Sequence, residues 1–185
     1  MNTALCSPSY RVLAALLEYP DAAFRSRLPE LRAALAASGF TSKERIVLEE
    51  VCAWMANTDG LDLEALYVRT FDLDAKADLH LTSHLGVDGD RNRGPDLIRL
   101  ATHFEDAGWA LTTRELPDYL PVVLEFAATL GDEAARDLLA GAGEALAAIT
   151  ARLEGIDSPY LPVLRLITRR GAPDIPLARP VETPS

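Results

Sequence analysis

The chain has 185 residues, of which 49% are hydrophobic, and its 18 basic and 28 acidic side chains give a formal charge of −10. This length and hydrophobic content fit one folded domain with a substantial core and exclude a chain that is disordered throughout. The negative charge argues against nucleic-acid binding, because basic side chains that neutralise phosphates supply most of that affinity.

Cysteine content and hydropathy favour a cytoplasmic protein. The two cysteines, Cys6 and Cys52, form neither a CxxC pair nor a metal-binding spacing, and isolated thiols suit a reducing compartment. Apolar runs in the sequence are shorter than a membrane-spanning helix, so we expect no insertion into a membrane. Alanine and leucine are abundant whereas β-branched residues are sparse, which favours an all-α fold.

Proline and glycine positions predict two helices in the first forty residues. Pro8 follows a serine, and this pair is typical of a helix N-terminus. The Tyr-Pro-Asp run around Pro20 ends that helix, since the residue before a proline avoids the α conformation. Pro29 is predicted to begin the second helix, and Gly39 to end it as a C-terminal cap.

The rest of the chain is predicted to add further helices, beginning with one at Thr41, where Glu44 completes the spacing of a capping box. Others are predicted over the apolar stripe that ends at Phe71, over a short stretch at 79–85, over 96–107 and 120–130, and after 132 and 159. A turn-rich loop is expected up to Pro95. We therefore predict a single-domain helical bundle of about eight helices over residues 1–170, followed by a flexible tail at 171–185 that is rich in proline.

Two patterns suggest metal binding, but each lacks a ligand. Aspartates that follow Asp72 and Asp88 resemble the start of calcium loops, yet neither loop has the glutamate that closes an EF-hand. His80 and His84 stand four residues apart, as zinc ligands on one helix face do, but no third ligand is near them in the sequence. Hydrogen bonding across a helix junction, or sensing of pH near neutrality, is the favoured interpretation of the two histidines.

Two more patterns could engage a charged group. Arg91 and Arg93 could grip an anion as arginine forks do, although no phosphate-binding loop motif accompanies them. Glu115 and Asp118 could form an acid–base pair, and they fit a peptide-recognition surface equally well. Because no positioned nucleophile is evident, the residues by themselves predict neither catalysis nor a cofactor. A metal-dependent enzyme built on the two histidines is the alternative that stays open.

Several stretches, taken together, resemble a known family. They are Tyr67-x-x-x-Phe71-Asp72, Leu79-His80-Leu81-x-x-His84, Arg91-x-Arg93-Gly94 and Glu115-Leu116-Pro117-Asp118-Tyr119-Leu120-Pro121-x-x-Leu124-Glu125. This combination is similar to that of the respiratory nitrate reductase assembly chaperones, the NarJ type of the TorD-like chaperones. The segments 16–21 and 158–160 also resemble that family, so the similarity spans nearly the whole chain.

The resemblance implies an all-helical chaperone of the TorD-like fold, with no catalytic activity and no cofactor of its own. Such chaperones bind the N-terminal segment of the catalytic (alpha) subunit of nitrate reductase. They hold this apo-subunit until the molybdenum cofactor is inserted and the complex is assembled. Selenate, chlorate and related reductases have similar chaperones, so the client stays open among them. A monomer or a domain-swapped dimer is expected.

The motif positions define the expected peptide site. A groove between the 67–71 helix and the bend at 117–121 would take an amphipathic leader helix, with aromatic anchors inside and acidic residues against basic residues of the client. The residues expected to bind the peptide are Tyr67, Phe71, Asp72, His80, His84, Arg91, Arg93, Glu115, Pro117, Asp118, Tyr119 and Pro121. The family usually has glutamate where Ser83 stands, and many of its members have histidine where Tyr119 stands.

Overall fold

The structure, a computed structural model, describes residues 8–111 and 115–172, and for residues 86–92 it describes the backbone alone. Within these ranges the chain is helical, which confirms the predicted all-α fold. The α-helices are α1 Pro8–Ala15, α2 Ala22–Ala37, α3 Ser42–Asn57, α4 Gly60–Tyr67, α5 Gly86–Asp106, α6 Leu120–Ala127, α7 Asp132–Gly141, α8 Gly143–Gly155 and α9 Leu161–Gly171. A π-helical turn, Val68–Asp72, extends α4, and a 3-10 helix, Leu81–His84, precedes α5.

Local caps fix several helix ends where the sequence predicts them. The Thr41 hydroxyl accepts a hydrogen bond from the Glu44 amide at 3.3 Å, while the Glu44 carboxylate accepts one from the Thr41 amide at 2.9 Å. This capping box begins α3. Gly39 and Gly108 both have a φ of +74°, a left-handed conformation that glycine adopts without a Cβ clash. The predicted ends of α2 and α5 are therefore confirmed.

The prediction that a helix begins at Pro29 is wrong, because α2 begins seven residues earlier. Asp21 caps it, with its carboxylate accepting a hydrogen bond from the Phe24 amide at 2.7 Å. Pro29 lies inside the helix, where its missing N–H leaves the Arg25 carbonyl without an intrahelical donor. Burial of Phe24 and Leu28 in the core compensates for that loss.

The loop expected before Pro95 is also wrong, because α5 begins at Gly86 and continues through the proline. Each glycine before Pro95 makes the helix less stable by only about 1 kcal/mol relative to alanine. Extending an existing helix costs little free energy per residue. Residues 86–94 therefore join the helix that the residues after Pro95 form. The predicted tail at 171–185 stays a prediction: Gly171 belongs to α9, and residues 173–185 lie outside the described ranges.

The core forms where α9 packs against α3, α7 and α8, and where α1 packs against α6. Gly171 allows α9 to approach α7 closely, since a Cβ there would lie 2.8 Å from the Leu139 carbonyl carbon. Helix α6 is the most deeply buried element, with seven of its eight residues inside. The turn just before α6 is thus anchored to the core. In the described part of the chain, no helix combines the length and the apolar character needed to cross a membrane.

Candidate functional site

The candidate site is built where two distant segments pair side by side. His80 and Tyr119 form an isolated antiparallel bridge. The Leu81 amide donates to the Asp118 carbonyl at 3.0 Å, and the Leu120 amide donates to the Leu79 carbonyl at 2.9 Å. The segment before the 3-10 helix is therefore fixed to the turn before α6, and two of the motif stretches meet.

Asp118 is the most unusual side chain at this junction, because it is a fully buried carboxylate with 0% exposure. Its Oδ2 accepts hydrogen bonds from the Thr82 amide at 3.1 Å and from the Thr82 hydroxyl at 2.5 Å. Its Oδ1 has no hydrogen-bond partner among the described residues. Burying a carboxylate oxygen without a donor is costly, so this atom is an unsatisfied acceptor at the junction.

A cavity of about 300 Å³ adjoins Asp118. Most of its wall is apolar and comes from four elements: the 3-10 helix and its C-terminal neighbour, α5, α6 and the end of α7. The lining consists of Leu81, Thr82, Leu85, Asp96, Arg99, Leu100, His103, Asp118, Val123, Leu138, Gly141 and Ala142. Arg99 forms an ion pair with Asp96, so the charge of Asp118 is the one left uncompensated among these three groups. The cavity thus offers an apolar chamber with a negative end.

On the other side of the turn, Tyr119 takes part in a buried chain of hydroxyl groups. The Tyr67 hydroxyl donates to the Leu17 carbonyl at 2.9 Å and lies 3.0 Å from the Tyr119 hydroxyl. Because a phenol has one proton to donate, Tyr119 must be the donor in the second bond. Burial raises the pKa of both phenols, so this chain stays neutral over the physiological pH range.

The two expected aromatic anchors lie in the core of the molecule. Tyr67 and Phe71 are each 3% exposed, and their ring centroids are 5.0 Å apart. Both rings contact Tyr160, at centroid distances of 6.0 and 5.0 Å. In this conformation they support the Tyr119 side of the turn, and their direct contact with a peptide stays a prediction.

Asp78 gathers the two histidines of the predicted pair. Its Oδ1 lies 2.8 Å from His80 Nδ1, its Oδ2 accepts from the Ser83 hydroxyl at 2.9 Å, and its carbonyl oxygen lies 2.7 Å from His84 Nε2. Burial opposes ionisation of Asp78, but hydrogen bonds from the His80 amide and ring and from Ser83 outweigh it and lower the pKa of the carboxyl.

This arrangement connects the two histidines through Asp78. The spacing of the two histidines suggested that their imidazoles share one helix face. They do not, because His80 precedes the 3-10 helix in an extended conformation. The His80 ring packs against Tyr119 at 5.2 Å. Within the described ranges, no group of three or more His, Cys, Asp or Glu side chains is placed to hold a metal ion.

The remaining expected acidic residues lie near the surface. Asp72 ends the π-helical turn, and its pKa is raised by partial burial and by the negative charge of Asp78. Glu115 is exposed just before the turn. These two carboxylates are therefore accessible to a basic partner, whereas Asp118 is buried in the lining of the cavity.

The prolines and arginines among the expected residues differ in their placement. Pro117 and Pro121 are buried and hold the turn in place at either side of Asp118. Arg93 lies half-buried on α5. The Arg91 side chain lies outside the described residues. Of the two arginines expected to grip an anion, the structure therefore describes the side chain of Arg93 alone.

Several residues of the site carry no sequence signal. Thr82 binds Asp118 across a separation of 36 residues, and a threonine between two histidines gives no indication of such a partner. Leu100, Leu138 and Gly141 line the cavity but read in the sequence as ordinary positions on amphipathic helices. Only the packing of α5 and α7 around the turn brings them together.

The model of the family named nitrate reductase delta subunit matches residues 18–165. The chain belongs to this family. The matched range contains all the residues expected to bind a peptide, and it contains the bridge, the buried Asp118 and the whole cavity lining. The resemblance seen in the sequence motifs is therefore confirmed.

Curated relatives in the nitrate reductase delta subunit family are named after assembly of the enzyme. The chain is 34% identical over 170 residues to the probable nitrate reductase molybdenum cofactor assembly chaperone NarJ of Bacillus subtilis (strain 168), covering 90% of both chains. It is 34% identical over 159 residues to the chaperone NarJ of Escherichia coli (strain K12), covering 85% of this chain and 67% of the relative. A nitrate reductase-like protein, NarX of Mycobacterium tuberculosis (strain ATCC 25618 / H37Rv), is 35% identical over 156 residues, or 84% of this chain and 23% of the relative.

Proposed function

We propose that this protein is a cytoplasmic assembly chaperone, and not an enzyme, for a respiratory nitrate reductase. It binds the N-terminal segment of the apo catalytic (alpha) subunit and holds it until the molybdenum cofactor is inserted. Membership of the nitrate reductase delta subunit family supports this role, as do relatives that are named molybdenum cofactor assembly chaperones. A selenate or chlorate reductase is the alternative client.

The observation that carries the binding proposal is the unpartnered Oδ1 of Asp118 beside an apolar cavity. A lysine or arginine side chain matches both properties, because its aliphatic stem packs on apolar walls while its charged end donates hydrogen bonds. The cavity is large enough for one such side chain. We therefore infer that a basic residue of the client segment enters the cavity and binds Asp118.

The rest of the client segment would lie across the mouth of the cavity as an amphipathic helix. Leu100 of α5 and Leu138 of α7 contribute apolar wall from two different helices, and a groove between helices takes the apolar face of a peptide in this way. Glu115 and Asp72 lie near the surface and add negative charge for further basic residues of the client.

Filling the cavity tests the binding site directly. Gly141 lines the cavity, and a Cβ placed on it meets no atom within 4 Å, so Gly141→Leu adds a side chain there without removing a contact. We expect it to weaken binding of a peptide from the client N-terminus by at least about tenfold in calorimetric titration, or about 1.4 kcal/mol. Gly143→Leu is the matched control, since Gly143 also has open space around it but does not line the cavity.

Removing the charge of Asp118 tests the chemistry of the same site. Asp118→Asn keeps an oxygen to accept from Thr82 but loses the negative charge, so a peptide with basic residues should bind at least about tenfold more weakly. Glu50→Gln removes an exposed carboxylate of α3 and should leave affinity unchanged. Circular dichroism must show that each variant is folded.

Three outcomes would contradict the proposal. Wild-type protein that gives no saturable heat with the client peptide would overturn recognition of the N-terminal segment. Wild-type binding that survives both Gly141→Leu and Asp118→Asn would place the site elsewhere on the molecule. A peptide from a selenate or chlorate reductase that binds more tightly than the nitrate reductase peptide would assign the other client.

A further inference from the structure

We propose that a second cavity, between the π-helical turn after α4 and the turn from α8 to α9, is the surface through which two copies of this chain associate. The cavity has a volume of about 680 Å³. None of its lining residues also lines the cavity beside Asp118. The dimer proposal and the peptide-binding proposal can therefore fail independently.

Apolar side chains from separate segments are left uncovered around this second cavity. Leu73, which follows the π-helical turn, is 76% exposed, and Ile156, which follows α8, is 38% exposed. Leu66 of α4 belongs to the same lining and is half-buried. Single exposed apolar residues are common on protein surfaces, but several of them around one concave surface favour a contact with another protein.

The charged residues of this lining have both signs. Arg152 Nε lies 2.6 Å from Asp74 Oδ2, so these two charges compensate each other. Arg69 and Asp157 are both exposed, and neither forms an ion pair among the described residues. Within the described lining, one positive and one negative charge are therefore left for a partner.

Local structure does not account for the carboxylate of Asp157. Its amide donates to the Glu154 carbonyl at 3.2 Å, and the Ser158 amide donates to the Leu153 carbonyl at 2.9 Å. These two bonds form a Schellman motif, in which the left-handed position, here Asp157 with a φ of +48°, is usually glycine. A negative charge is also unfavourable at the C-terminal end of a helix. An ion pair with another molecule would account for this carboxylate.

A second copy of the chain has the properties that this surface requires. In a dimer with twofold symmetry the same surface of both molecules takes part, so a pair between Arg69 and Asp157 of the partner subunit is made twice. The exposed Leu73 of each copy can likewise enter the cavity of the other. Two folded chains associate in this way without exchanging a helix.

The net charge of the chain limits how strong this dimer can be. Two chains of charge −10 repel each other, although physiological salt screens the repulsion between exposed charges more than about 8 Å apart. The two short ion pairs and the apolar contact have to outweigh what remains. We therefore expect a dissociation constant of about 10–100 µM, which is typical of a transient dimer.

Exchanging the two charges tests the predicted pairing by sedimentation velocity. Arg69→Glu places carboxylates opposite each other and Asp157→Lys places cations opposite each other, so each should weaken self-association by at least about tenfold. An equimolar mixture of the two variants should associate as the wild type does, because both contacts of the mixed dimer then join opposite charges. Arg32→Glu on α2 and Glu50→Lys on α3 make the same charge changes at exposed positions outside the lining and should leave the dissociation constant unchanged.

Leu73→Gln tests the apolar part of the contact without a change of charge. Leu61 is 77% exposed, which matches the 76% of Leu73, but it lies outside the lining. We expect Leu73→Gln to weaken self-association by at least about fivefold and Leu61→Gln to leave it unchanged. Both side chains are exposed, so both variants should keep the stability of the wild type in urea denaturation.

Three results would overturn the proposal. The first is wild-type protein that stays monomeric up to about 0.5 mM. The second is a dimer that Arg69→Glu and Leu73→Gln weaken no more than their controls do, which would place the contact on another surface. The third is a mixture of Arg69→Glu and Asp157→Lys that stays monomeric although circular dichroism shows both variants to be folded.

Discussion

At the scale of single residues, buried polar groups on the two faces of the 117–121 turn have opposite roles. Tyr119 continues a fully bonded chain of hydroxyls that ends on the Leu17 carbonyl, so this face is structural. Asp118 has one oxygen bonded to Thr82 and one without a partner in the described structure, so that face is the one we propose for a ligand. On this proposal, neighbouring residues of one motif serve stability and binding separately.

The structural role of the hydroxyl chain can be measured with Tyr67→Phe. This change removes both the donor to the Leu17 carbonyl and the acceptor for Tyr119, so it should lower the free energy of unfolding by about 1–2 kcal/mol. Tyr19→Phe removes an exposed hydroxyl that donates to Glu64 and should cost no more than about 0.5 kcal/mol. Equal losses of unfolding free energy in the two variants, measured by urea denaturation, would show that the buried hydroxyl chain does not contribute to stability.

Asp78 and Asp72 should give opposite effects of pH on stability. The pKa of Asp78 is lower in the folded protein than its ordinary value of 3.8, so its ionised form stabilises the fold. That contribution is fully present above 3.8 and is lost as the pH falls through the lowered pKa. The pKa of Asp72 is raised above 3.8, so its contribution is present below 3.8 and is lost as the pH rises through the raised pKa.

Substituting each aspartate by asparagine separates the two effects. Asp78→Asn should lose stability relative to wild type at neutral pH and approach wild type in acid. Asp72→Asn should gain relative to wild type as the pH rises from acid to neutral. Urea denaturation across this pH range measures both curves, and parallel curves for the two variants would contradict the assignment.

At the scale of elements, the contact between α7 and α9 depends on a residue without a side chain. A Cβ on Gly171 would meet the Leu139 backbone at 2.8 Å, and backbone atoms cannot turn aside as a flexible side chain does. Gly171→Ala should therefore destabilise the protein by about 1–3 kcal/mol. Gly155→Ala, with no atom near its added Cβ, should be neutral or stabilising by up to about 1 kcal/mol. Thermal unfolding of the pair gives the comparison, and equal melting temperatures would exclude a tight α7–α9 contact.

The elements themselves could be predicted wherever a local interaction begins or ends them. The capping box of Thr41 and Glu44 and the left-handed Gly39 lie where the sequence places them. The left-handed Gly108 follows directly on the helix predicted over 96–107. Proline gave mixed predictions: α1 begins at Pro8 as expected, but a cap or a neighbouring helix can carry the chain through a proline. Pro29 and Pro95 both lie inside helices. The preference of proline for the first turn of a helix does not reveal the tertiary packing that overrides it.

At the scale of the whole molecule, the net charge of −10 should guide a basic client to the site. Raising the salt concentration from about 0.05 M to about 0.5 M should slow association of the client peptide by about three- to tenfold and change dissociation much less. Stopped-flow fluorescence measures both rates. A peptide whose basic residues are replaced by glutamine is the control and should associate at a rate nearly independent of salt. A salt effect of the same size on that control would exclude electrostatic guidance.

The sequence indicated that the 67–71 helix and the 117–121 bend lie together, but not that His80 pairs with Tyr119. Glu115 and Asp72 could be expected at the surface from their charge alone. Tyr67 and Phe71 could equally well have been anchors or core, and burial of 3% each places them in the core. The cavity could not be predicted at all, because Leu138 and Gly141 on α7 approach Asp118 only through the tertiary fold.

The bridge between His80 and Tyr119 also closes the segment between them into a loop on the helical bundle. Its two backbone hydrogen bonds close the chain on itself, so α5 leaves and returns at one place on the bundle. Of the α5 side chains that are described, only Phe104 is buried. A change of length between the two bridge residues should therefore shift no other helix out of register. Such a change would alter the α5 wall of the cavity while the rest of the bundle stays the same.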